Sequence, residues 1–132
     1  MAVVVETVNV VSKEVHERQA IAPTYLTGSF VDNDTDDHQL KVDARGKGRL
    51  TVAIDNPADN TMTVNVYGMH AAAGAVGDAG TFLIGTFTVT AAQDKNYQTV
   101  NDPFPWYLIQ VTPAAADATN PTVTVYMDFS AF

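Results

Sequence analysis

Arg49-Leu50-Thr51-Val52-Ala53-Ile54-Asp55 is the stretch that decides the fold. Leu50, Val52 and Ile54 alternate with Arg49, Thr51 and Asp55, the period-two pattern of a strand with one face in a core and the other in water. The same rhythm spreads outward in both directions. Upstream, Gln39–Ala44 sets Leu40, Val42 and Ala44 against Lys41 and Asp43, and the aromatic run Tyr25–Val31 follows the breaker Pro23. Val3–Val11 is rich in Val and Thr. Downstream, Thr61–Met69 turns Met62, Val64 and Val66 one way, and Thr81–Thr90 is mostly apolar or Thr. Trp106–Thr112 sets Tyr107, Ile109 and Val111 against Trp106, Leu108 and Gln110. Thr122–Phe132 sets Val123, Val125, Met127 and Phe129 against Thr122, Thr124, Tyr126 and Asp128.

Turn chemistry separates these runs: the acidic stretch Asp32–Asp37, Gly46 and Gly48 around Lys47, Asp55-Asn56-Pro57, the Ala/Gly loop Gly68–Gly80, Asp102-Pro103-Phe104-Pro105 and Pro113–Pro121. Ser12–Ala20 has Ser12 as an N-cap but few apolar positions, and reads as irregular or strand with at most one helical turn. About eight strands at this spacing predict an all-β, single-domain antiparallel β-sandwich of jelly-roll type over residues 1–132. Its core is expected to hold Leu50, Val52, Ile54, Val64, Val66, Ile109, Val111, Val123 and Val125.

Composition narrows the function. With 132 residues, 46% of them apolar, the chain is one domain with a real core. It has no cysteine, which removes disulfides, thiolate nucleophiles and thiolate zinc sites. The net charge of −8 argues against nucleic acid and anionic membrane as partners. Six of the seven basic residues precede Tyr67, leaving a second half poor in charge that can be buried against neighbours at low desolvation cost. The start of the chain lacks the pattern of a secretory signal, so the protein is expected to be made and to stay in the cytoplasm unless it leaves by lysis or a dedicated machine.

Candidate chemistry is sparse. The Asp32–Asp37 turn offers hard oxygens but lacks the glycine and closing glutamate of a calcium loop, so no metal is expected there. His16, His38 and His70 form no ligand-spaced pair, and no nucleophile-elbow or phosphate-loop motif occurs. The expectation is a non-enzyme without cofactor or metal. Phe104, Trp106 and Tyr107 are candidates for a sugar-stacking platform, although alternation puts Trp106 and Tyr107 on opposite faces, so at least one belongs to the core. Arg45, Lys47 and Arg49 make a compact basic turn that could dock on an acidic partner. Small residues in the Ala71–Gly80 loop let another chain approach, and an intersubunit contact is expected there. The apolar ends Met1–Val5 and Phe129–Phe132 are expected to be docked, with Phe129 and Phe132 as partner-binding residues.

The segment Leu40-Lys41-Val42-Asp43-Ala44-Arg45-Gly46-Lys47-Gly48-Arg49-Leu50-Thr51-Val52 resembles a strand-turn-strand of small β-sandwich virion proteins of tailed phages and related viruses. The aromatic-led strand Trp106-Tyr107-Leu108-Ile109-Gln110-Val111 and the closing strand Thr122-Val123-Thr124-Val125-Tyr126 extend the likeness. The resemblance implies a capsid decoration (cement) protein of the virion, bound to the major capsid protein lattice and to its own copies, with a trimer as the favoured form. Such a protein stabilises a head by binding only its assembled state. Similar scaffolds serve as carbohydrate-binding modules on virion or cell surfaces, which would require exposed aromatics beside Asp, Asn or Gln. A subunit of a non-viral filament or shell is a third class.

Overall fold

The computed structural model describes residues 3–5, 9–12, 24–46, 49–91 and 94–130. Ten strands lie among them: β1 (Val3–Val5), β2 (Asn9–Ser12), β3 (Thr24–Val31), β4 (Asp37–Asp43), β5 (Arg49–Asn56), β6 (Met62–Met69), β7 (Thr81–Val89), β8 (Asp94–Val100), β9 (Trp106–Pro113) and β10 (Thr122–Ser130). They form two five-stranded sheets. The front sheet has the order β2-β3-β10-β5-β8 and the back sheet β1-β4-β9-β6-β7.

The pairing is nested. β6 pairs with β7, β5 with β8, β4 with β9 and β3 with β10, all antiparallel. The chain from β3 to β10 is thus one long hairpin with its apex at residues 70–80, rolled so that successive nested pairs alternate between the sheets. Cross-links β10–β5 and β6–β9 close each sheet. This is the jelly-roll sandwich that the strand rhythm predicts.

Two elements differ from the sequence expectation. The run Val3–Val11 is two strands, not one: β1 joins the back sheet beside β4 in parallel, and β2 joins the front sheet beside β3. β8 is a strand without an apolar stripe. Along Lys95–Val100 only Val100 is buried, because β8 is the outer strand of the front sheet and pairs on one side only.

The core sits between the sheets and is built by the alternation. Leu50, Val52 and Ile54 from β5 meet Val64 and Val66 from β6, Ile109 and Val111 from β9, and Val123, Val125 and Met127 from β10. All nine residues expected inside are buried. Gly28 is required by this packing: Leu40 seats against it so closely that an added Cβ would lie 1.8 Å from the Leu40 Cδ2.

One end of the sandwich is tied by side chains. Asp32 accepts a 2.6 Å hydrogen bond from the Asn60 amide, and its backbone N–H donates to the Pro121 carbonyl. The Asp117 carboxylate accepts from the backbone N–H of Asp59 and from both the N–H and hydroxyl of Thr119. The β3–β4, β5–β6 and β9–β10 turns are therefore fastened to one another. The Thr119 bonds, above all, hold the Asp117 carboxyl below its usual range. Asp32 is fully buried with one carboxylate oxygen unpartnered, and loss of water raises its pKa; the charge of Asp117 adds to this, while the Asn60 bond opposes it.

A raised folded-state pKa means that the contribution of Asp32 favours folding below the ordinary carboxylate range and is lost as pH rises through the folded value. Asp32→Asn removes that slope. The stability of the variant relative to wild type is expected to improve between about pH 3 and about pH 7, read from urea midpoints at each pH. An identical difference at both pH values would show that Asp32 carries no burial cost.

Candidate ligand-binding face

The outer face of the front sheet is set by the residues that the core alternation leaves outside. On β10 these are Thr124, Tyr126 and Asp128; on β5, Thr51, Ala53 and Asp55; on β8, Lys95, Tyr97 and Thr99. Register puts them in rows. Tyr126 lies opposite Ala53, and Ala53 lies opposite Tyr97. Two tyrosines therefore stand either side of a single methyl group. Tyr97 is 68% exposed and Tyr126 39%. Between them runs an open groove of about 430 Å³, lined by Ala53, Ile54, Asp55, Lys95, Asn96, Tyr97 and Tyr126.

Polar groups flank the groove along the strands. In one neighbouring row Asp55 and Lys95 form an exposed ion pair at 3.7 Å, a geometry of small net energy in water. In the other neighbouring row the Thr51 and Thr99 hydroxyls meet at 3.0 Å, with Asp128 opposite Thr51. Loss of water alone raises the Asp128 pKa. The Asn96 amide donates to the Thr88 carbonyl and its oxygen accepts from the Tyr97 N–H, which fixes the backbone on which Tyr97 stands. Flat apolar ring faces beside carboxylate acceptors and amine or hydroxyl donors are what a polyhydroxylated ring needs: C–H faces to stack and hydroxyls to pair.

The residues singled out by sequence are scattered. The Arg45 guanidinium grips the Asp43 carboxylate with bonds of 2.9 and 2.7 Å and lies over the Trp106 ring at 4.9 Å. Those bonds also raise its pKa, so its charge is already answered within the chain. Arg49 is exposed opposite Ser130, on the same outer face as the tyrosine groove but at its far end. Lys47 and Phe132 lie outside the described residues, as does His16. Phe129 corrects the expectation of a docked tail: its side chain is 2% exposed and packs in the core, because the alternation of β10 runs on through it.

The expected aromatic platform is not assembled either. Tyr107 is in the core, as alternation required of one of the pair; its hydroxyl donates to the Asp102 carbonyl at 2.8 Å, and burial pushes its pKa up. Trp106 is covered by Arg45, and Phe104 packs over Gly68 beside His70 and Phe82. In the acidic turn the carboxylates point to different places. Asp37 accepts from Gln110 and Thr112, Asp34 faces His38 at 3.6 Å, and Asp32 is committed to Asn60. His38 also stacks on Phe30 at 3.9 Å. Among the described residues, no group of three or more acidic or histidine side chains is placed to hold a metal ion.

The groove residues escaped the sequence reading because β8 did. Asp94-Lys95-Asn96-Tyr97-Gln98-Thr99 carries no hydrophobic alternation to mark a strand. The one available signal was Tyr97 itself, a large ring in a polar run.

No family model and no curated protein matches the sequence. Solved structures match in shape. The Yersinia pseudotuberculosis-derived mitogen is similar with a TM-score of 0.55 and 12% identity, over 83% of this chain and 87% of that one. The K3 adhesin domain of Lys-gingipain from Porphyromonas gingivalis is similar with a TM-score of 0.52 and 16% identity, over 81% and 74%. PirA is similar with a TM-score of 0.52 and 14% identity, over 87% and 97%. At these identities the likeness is one of fold. It agrees with the topology in making this chain a β-sandwich module, a scaffold that hosts many unrelated functions.

Proposed function

We propose that this chain is a carbohydrate-binding β-sandwich module, displayed on a virion or cell surface, with the tyrosine groove of the front sheet as its ligand site. The observation that carries the reading is the row Tyr126–Ala53–Tyr97, two exposed rings flanking the smallest side chain that has a Cβ. Exposed tyrosines on a sheet gain little in water. Against a sugar each ring offers a stacking face worth about 0.5–1.5 kcal/mol. Asp55 and Lys95 line the groove, where they can exchange hydrogen bonds with the hydroxyls, and Asp128 stands one row away on the same face. A sandwich of similar shape serves as a domain named an adhesin.

A glycan-array screen followed by calorimetry tests this. Tyr97→Ala and Tyr126→Ala are each expected to weaken the best glycan about fivefold to tenfold, with melting unchanged because both rings are exposed. Wild-type affinity in both variants would remove the groove as the site. Virion decoration, which the strand-turn-strand resemblance implies, stands as the second reading. It is favoured by the exposed apolar side chains Val76, Phe82 and Leu83 around the hairpin apex, where a capsid subunit could cover them. A chain that binds no glycan but sediments with assembled particles in many copies would replace the first reading by the second.

A further inference from the structure

We infer that the groove takes one pyranose ring held between Tyr97 and Tyr126, and that the ring must be uncharged. The inference rests on the reading of the groove as a glycan site. It names the class of sugar from the width of the slot and the charges beside it.

Width comes from register. Tyr126 and Tyr97 are two strands apart with Ala53 between them, so their backbones are separated by about 9.6 Å. Two stacking contacts at ordinary van der Waals distance take up about 7–8 Å of that. A single saturated ring therefore fills the gap, touching one tyrosine on each face. Ala53 is the floor, and its small size leaves the slot open; a longer side chain at that position would occupy the place of the ligand.

Length and charge come from the rows on either side, each about 6.8 Å along the strands from the tyrosine row. On one side Lys95 and Asp55 form an exposed pair whose opposite charges offset each other, so this side offers an anionic sugar little net attraction. On the other side Asp128 stands next to Tyr126 on the same face, partly desolvated. Its outer-face neighbours across β5 are Thr51 and, one position further out, Arg49 opposite Ser130. The carboxylate nearest the slot on this side can accept two hydroxyl hydrogens from a neutral sugar. It repels a uronate, sialate or sulfate brought to the same place.

The full-length protein is titrated with paired probes that differ in one group: methyl glucoside against methyl glucuronide, and methyl galactoside against methyl galacturonide. The expected result is that the neutral member of at least one pair binds about tenfold or more tightly than its acid. Asp128→Asn should shrink that ratio, chiefly by improving the acid, and Ala53→Leu should abolish binding of both. Melting curves of each variant confirm folding; where Ala53→Leu lowers the melting temperature, Tyr97→Ala, whose ring is exposed, takes its place and should weaken both members of a pair with melting unchanged. Acidic sugars bound as well as their neutral partners through the tyrosines, or an unchanged ratio in Asp128→Asn, would overturn the charge rule and leave the glycan site standing. No binding of any probe, or of any glycan on an array, would overturn the glycan site itself.

Discussion

Phe129→Ala is expected to cost about 3–5 kcal/mol of folding free energy, the range for removing a buried aromatic side chain. The ring is one of the largest fully enclosed groups in the protein. It stands on β10, the central strand of the front sheet, paired on one side with Leu50 of β5 and on the other with Thr24 of β3. Removing it leaves a cavity that paired strands on both sides cannot collapse to fill. For a domain of this size the loss is a large share of the total stability, about 5–15 kcal/mol. Denaturant midpoints with an unchanged slope would measure it. A loss below about 1 kcal/mol would mean that the ring is not packed as described and would restore Phe129 as a surface residue.

Asn56→Ala should cost about 2–4 kcal/mol, although it deletes only a small amide. Asn56 is fully buried at the end of β5. Its amide nitrogen is shared among the carbonyls of Asn60, Thr90 and Val89, at 2.9, 3.0 and 3.3 Å. Its oxygen accepts from the Ala58 N–H at 3.0 Å. This one side chain closes the β5–β6 turn and ties it to the end of β7. Alanine leaves those backbone groups in the interior without partners, which is the expensive way to lose a hydrogen bond. Asn56→Asp separates shape from bonding. It keeps the size but turns an oxygen toward the carbonyls, so it should be worse than alanine at neutral pH and should recover in acid, where a protonated carboxyl can donate. Equal stability of Asn56→Asp and wild type at neutral pH would contradict the assigned orientation of the amide.

The core was legible because alternation is a local signal. Leu50, Val52 and Ile54 announce their face within seven residues, and the same holds on β6, β9 and β10. Phe129 shows two sequence arguments in conflict. Alternation placed it inward with Val123, Val125 and Met127, while its position near an apolar end argued for a docked tail. The inward reading prevailed because a side chain on a central strand follows the pleat. The site was not legible for a different reason. Tyr97, Ala53 and Tyr126 are far apart in the chain, and only the register of β8 on β5 and of β5 on β10 brings them into one row. That register is a tertiary fact, and β8 lacked even the local pattern that would have marked it as a strand. Within the basic turn the charge of Arg45 is met two residues away, at Asp43, a pairing that charge counting alone does not reveal.

The nested hairpin also governs how the protein is made. β3 and β5 leave the ribosome early, yet the strand that lies between them is β10. Until residues 122–130 emerge, the front sheet has two open edges where its middle should be, and most of the core has nothing to close over it. The pairs Thr24–Phe129 and Val31–Thr122 join segments that lie 105 and 91 positions apart in the chain. Such distant pairings are slow to find, and unpaired edges invite other chains meanwhile. Stability therefore arrives late and all at once during translation. A ribosome stalled in the loop before β10 holds a chain that has most of its hydrophobic residues but a front sheet without its middle strand.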